Sequence, residues 1–120
     1  MDKEQALYAF WAGFNWPAYD EQTVPDEATL PYITYEDAVS GFNNDIALTA
    51  DLWYRSREWS QITAKAKEIV AAIGRGGKLV QYKGGAFWIK LSTPNYTRTS
   101  DPSDDGVRRI KFNLTIEYFD

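Results

Sequence analysis

The chain has 120 residues, 44% of them hydrophobic and 25% charged, which is enough for one globular domain with a single core of its own. It contains no cysteine, which removes thiol catalysis, redox switching and cysteine-held metals, and no histidine, which removes Ser-His-Asp chemistry and the imidazole ligands most transition-metal sites need. Ten acids stand against Lys3 alone in residues 1–51, whereas residues 52–120 hold twelve bases and seven acids, so a net charge of −4 hides an acidic half and a basic half.

In chain order, Asp2 is an N-cap with Gln5 three residues on, and Ala6, Leu7, Phe10, Trp11 and Phe14 at helical spacing predict an amphipathic first helix. Gly13, Asn15 and Pro17 end it. Residues 15–30 read as an acidic, proline-punctuated loop carrying Trp16, Tyr19, Asp20, Glu21, Asp26 and Glu27. A strand is expected over 31–39 and a turn over 40–45. In residues 46–55, Ile46, Leu48, Ala50, Leu52 and Tyr54 alternate with Ala47, Thr49, Asp51, Trp53 and Arg55, the period of a half-buried strand. Trp53 falls on the polar side, where an indole either covers a neighbouring strand or anchors an interface.

Ser56 is the expected cap of a second helix, with Trp59, Ile62, Ala66, Ile69, Val70 and Ile73 on one stripe and Gly74 as its stop. Residues 78–82 and 86–91 read as a hairpin around Gly84-Gly85, residues 92–106 as a long polar loop, and the alternation of Ile110, Phe112, Leu114, Ile116 and Tyr118 as a final strand. The expected fold is α+β: two helices packed on one mostly antiparallel sheet of about five strands, in the order α-β-β-α-β-β-β.

The chemical motifs are weak. Gly74-Arg75-Gly76-Gly77-Lys78 follows a helix instead of opening one, the reverse of a phosphate-binding loop. Asp101-Pro102-Ser103-Asp104-Asp105-Gly106 lacks the alternating ligands and closing Glu of an EF-hand and reads as a solvated turn. The paired carboxylates are all sequence neighbours, not groups set across a scissile bond. Basic residues are scattered apart from Arg108, Arg109 and Lys111, and the isoelectric point is near 4.8, which disfavours nucleic-acid binding. No catalytic residue, cofactor or metal is expected. A polar start and the lack of a long apolar run point to a cytoplasmic product with no membrane partner, in which the sequons at Asn95 and Asn113 are chance matches. The 19 aromatics serve either as core or as partner contacts. The charge split suits head-to-tail assembly into a ring, or else neutralisation inside a monomer.

The segments Phe10 to Glu21 (FWAGFNWPAYDE), Pro31 to Glu36 (PYITYE) and Ile110 to Phe119 together resemble small tail-completion proteins of long-tailed bacteriophages, over about half the chain. The resemblance implies a tail terminator: a non-enzymatic virion protein, assembled in the host cytoplasm as a homo-oligomeric ring, usually hexameric. Such a ring caps the head-proximal end of the tail tube, meets the tube protein and the head-tail connector, and lets DNA pass through its lumen without binding. The expected subunit contacts are Trp16, Tyr19, Asp20 and Trp53 with Arg108 and Arg109, and the expected tube contacts are Asp101, Asp104 and Asp105. Alternatives are a connector or stopper ring and, from a different class, a small carboxylate-based hydrolase or a carbohydrate-binding module.

Overall fold

A computed structural model describes residues 1–37, 45–100 and 103–119. The elements run α1 (Lys3–Ala12), β1 (Ala18–Asp20), β2 (Tyr32–Tyr35), β3 (Asp45–Arg55), α2 (Ser60–Ile73), β4 (Lys78–Tyr82), β5 (Gly85–Ser100) and β6 (Val107–Phe119). The α+β class with two helices and one sheet holds. The sheet has six strands and is mixed, in the order β1-β2-β3-β6-β5-β4, with β1 parallel to β2 and every other pair antiparallel.

Two expectations about the strands are corrected. The acidic segment expected to be all loop contains β1: Ala18 to Asp20 lie beside Ile33 to Tyr35, and Ile33 N–H donates to the Pro17 carbonyl. Three residues are too short to show a period. The expected loop over 92–106 is strand as far as Ser100, because β5 continues antiparallel to β6 after a register shift between Leu91 and Tyr96. Pro94 sits in that irregular stretch, where a residue without an N–H interrupts the ladder least, and its carbonyl accepts from Asn113 Nδ2 at 2.9 Å. The end of the strand expected over 31–39 and most of the turn after it lie outside the described residues.

The first helix is capped as the sequence predicts: Asp2 accepts from Gln5 N–H, and the Gln5 side chain returns the bond to Asp2 N–H. For α2 the cap differs. Ser56 Oγ accepts from Glu58 N–H in a local turn, and Trp59 stands at the N-cap without a side-chain bond. The α2 stripe is nonetheless as expected, with Ile62, Ala66, Ile69 and Ile73 all buried, and Gly74 leaves the helix at φ 79°.

Period-2 alternation decides which sheet face receives the helices. Ile33, Leu52 and Ile110 share one row across β2, β3 and β6, and Ile89 and Ile116 another across β5 and β6; all five are fully buried beneath the helices. Trp11 completes this core, stacked on Tyr35 with centroids 6.5 Å apart. Burying such side chains contributes roughly 1.5–3 kcal/mol each. The sheet is curled, and α1 touches both β1 and β4, its two edge strands. Both helices therefore sit in the concave side. The convex side carries the alternate residues of every strand.

Candidate assembly surfaces

Three surfaces emerge from this arrangement: the convex face, the tip of the β5–β6 hairpin, and the acidic edge around β1 and β2.

On the convex face, Asp51 of β3 is 3% exposed, and its Oδ1 accepts from Arg109 Nε of β6 at 3.2 Å. The Arg109 guanidinium also lies 4.5 Å from the Trp53 ring centroid, and Trp53 Nε1 donates to Thr34 Oγ1 at 3.0 Å. Tyr32 packs against Trp53 on one side and Tyr19 on the other. Register explains the assembly, since Tyr19, Thr34, Asp51 and Lys111 occupy one cross-strand row and Tyr32, Trp53 and Arg109 the next. Of the expected subunit contacts, Tyr19, Trp53 and Arg109 thus come together, but within one chain. Trp53 covers its neighbouring strands, the first of the two roles open to it.

At the tip, Asp104 Oδ1 accepts from Gly106 N–H at 2.9 Å, and its Oδ2 accepts from Arg55 Nη1 at 3.1 Å. The Gly106 N–H, and then Arg55, hold the Asp104 carboxyl below its usual value. Arg108 donates to the carbonyls of Asp105 and Arg57, and its guanidinium and that of Arg98 flank Trp59 at 5.3 and 4.8 Å. Asp105 is exposed on the turn, and Asp101 lies outside the described residues. Asp104 and Arg108 therefore pin the hairpin to the end of β3.

The acidic edge holds Asp20, Glu21, Glu36 and Asp37. Residues 15–37 contain six carboxylates and no base. Glu36 is anchored by Thr49, whose N–H and hydroxyl both bond its Oε1, and Asp20 accepts from Gln22 N–H. Glu21 is raised above its usual value by partial burial and then by Glu36, Asp51 and Asp20; Asp37 is raised by burial and then by Asp20 and Glu4. Trp16 stands apart, stacked on Tyr54 with Lys65 Nζ 5.4 Å from its ring.

Reasoning from sequence missed a fourth group on the convex face, at the β4 corner. Leu79 faces Trp88 across β4 and β5, at 49% and 38% exposure, and Phe119 is 40% exposed at the end of β6. Trp88 Nε1 donates to the Gly76 carbonyl at 2.9 Å, which fixes the loop after α2 against the sheet. Gly77 makes that approach possible: at φ 89°, any Cβ would lie 2.2 Å from Trp88 Nε1. The signal was present in the alternation, which puts Leu79 and Trp88 on the face opposite Val80, Phe87 and Ile89.

Among the described residues no group of three or more acidic ligands could hold a metal ion, and no helix is long and apolar enough to cross a membrane. Among the described residues, the hollow between α1 and β4 is lined by Met1, Ala6, Phe10, Phe14 and Lys78, and three others are lined by apolar, basic and neutral polar residues without a carboxylate. Compared with family profiles, curated proteins and solved structures, the chain matches none.

Proposed function

We propose that this chain is a structural subunit of a phage tail, a terminator that assembles into a ring on the head-proximal end of the tail tube, stops its growth and offers a surface to the head connector. The observation that carries the reading is the one-sided packing of the sheet: both helices fill the concave side, while the convex side of β4, β5 and β6 keeps Leu79, Trp88 and Phe119 in solvent. Exposed large side chains clustered on one sheet face are the mark of a face that a partner covers. The resemblance in Phe10 to Glu21, Pro31 to Glu36 and Ile110 to Phe119 supplies the kind of assembly, and those segments hold the last turn of α1, β1, β2 and most of β6. Capping rests on shape and charge, without catalysis or cofactor. An acidic protein with an isoelectric point near 4.8 suits a lumen through which DNA slides, since like charge prevents adhesion.

A connector or stopper ring uses the same physics and differs in its position within the particle. The carbohydrate-binding alternative needs a planar aromatic row, whereas Tyr19, Tyr32 and Trp53 are inclined at 79° and 45° to one another. The test is native mass spectrometry with negative-stain imaging of the chain alone and with purified tail tubes. A ring of about six copies, or density added at one tube end, is expected. A monomer that ignores tubes would refute the proposal.

A further inference from the structure

The expected basic partners of the acidic edge are occupied at home: Arg109 is spent on Asp51 and Trp53, and Arg108 on two carbonyls and Trp59; Arg55 is likewise held by Asp104. The cations left for an intermolecular contact lie elsewhere. Residues 74–90 hold Arg75, Lys78, Lys83 and Lys90 and no acid. Arg75, Lys78 and Lys83 are exposed and form no ion pair among the described residues. Arg75 precedes β4 and Lys83 follows it, so these two cations bracket the edge strand that carries Leu79 opposite Trp88, whereas Lys78, paired with Ile89, lies on the concave side. Glu117 lies between Trp88 and Asp45 in its cross-strand row, with the Lys90 charge partly offsetting its own.

The acidic edge is the counterpart. Asp20 pairs with Tyr35 across β1 and β2 and Glu21 N–H donates to the Tyr35 carbonyl, two residues before Asp37, so these acids share one sheet edge with no base in their stretch of sequence, and Asp20 and Glu4 both help raise the Asp37 carboxyl. On α1, Tyr8 stands at 51% exposure, one turn from Glu4, on the helix that packs against β1 and whose Trp11 stacks on Tyr35, the β2 partner of Asp20. Of the five large hydrophobic side chains most exposed among the described residues, three therefore lie in the basic corner and one beside the acidic edge.

We propose that the acidic, Tyr8-bearing edge of one copy docks onto the basic Leu79–Trp88 corner of the next. The two patches differ, so the contact is heterologous and repeats from copy to copy until it closes. Opposite charge fixes the register and speeds encounter, and the apolar pairs Tyr8 and Leu79 or Trp88 supply the desolvated centre. The inference rests on the ring reading above and names its interface.

The test uses the full chain in two charge-reversed forms, Arg75→Glu/Lys83→Glu and Glu21→Lys/Asp37→Lys, all at exposed positions, with circular dichroism confirming the fold. Each alone should associate at least about tenfold more weakly than wild type, since like charges now meet. Mixed one to one, they should recover assemblies in which the two forms alternate, because one junction is then the wild-type pair and the other is reversed on both sides, and both are complementary. A second readout exploits the cysteine-free chain: a short bis-maleimide should join Tyr8→Cys to Leu79→Cys in preference to either homotypic pair. Rings from both reversed forms alone, no recovery on mixing, or only homotypic cross-links would overturn this interface while a wild-type ring left the terminator reading standing. A wild type monomeric both alone and on tubes would remove both.

Discussion

Replacing Arg109 with Met should cost about 3 kcal/mol of stability, because it strands the Asp51 carboxylate on the convex face. Breaking a fully buried ion pair by removing one partner costs about 3–5 kcal/mol. Asp51 is 3% exposed but the Arg109 side chain is 28% exposed, which places the cost toward the low end. That figure includes about 0.5–1 kcal/mol for loss of the guanidinium over Trp53, whereas Met retains most of the stem that packs on the sheet. With a urea slope of about 1.5–2 kcal/mol/M for a domain of this size, the midpoint should fall by about 1.5–2 M. The double variant Asp51→Asn/Arg109→Met removes the stranded charge and should recover about 1–2 kcal/mol of the loss. A single variant within about 0.5 kcal/mol of wild type would show that the pair holds nothing, as for an exposed salt bridge. A double variant no more stable than the single one would show that the loss comes from packing alone.

Gly77→Ala should destabilise by more than about 2 kcal/mol and shift tryptophan fluorescence, since the new Cβ would lie 2.2 Å from Trp88 Nε1 and 2.8 Å from the Ile89 carbonyl at a φ of 89°; unchanged emission and stability would contradict the close approach. Ile69→Ala should cost about 2–5 kcal/mol in urea unfolding, because Ile69 is fully buried between α2 and the sheet. Asp2→Ala should cost about 1 kcal/mol, through loss of the reciprocal cap with Gln5. Burial, then Asp20 and Glu4, raise the Asp37 carboxyl, so the folded chain binds its proton more tightly than the unfolded chain does. The stability it contributes is complete below 3.8 and is lost as pH rises through its raised value. Asp37→Asn should therefore stabilise the chain at neutral pH but not in acid, and a pH series of melts showing equal effects at both would contradict the like-charge account.

Long alternations were readable in the sequence because a period of two needs only a few repeats to declare itself: β3 and β6 emerged with their buried rows correct. Asp2 with Gln5, and the α2 stripe ending at Gly74, were equally plain, each being a local rule satisfied locally. β1 was hidden because its three residues owe their extended form to pairing with β2. Residues 92–100 look like loop since Thr, Pro and Asn dominate them, yet β6 supplies a full-length partner and tertiary pairing overrides propensity. The candidate surfaces followed the same division. Asp51 and Arg109, 58 residues apart, meet through register alone, so Arg109 looked free in the sequence when its charge was already engaged. The β4 corner was legible in part, in the cation-only run from Arg75 to Lys90, but its exposure depended on both helices choosing the concave side.

The central claim is that this chain builds a closed ring that seats on a tail tube, and native mass spectrometry across protein concentration, paired with negative-stain imaging of mixtures with purified tubes, tests it most directly. A discrete species of about six copies, or a cap of matching size at one end of each tube, is the expected result. A single monomer mass at every concentration, with tube ends left bare, would contradict it.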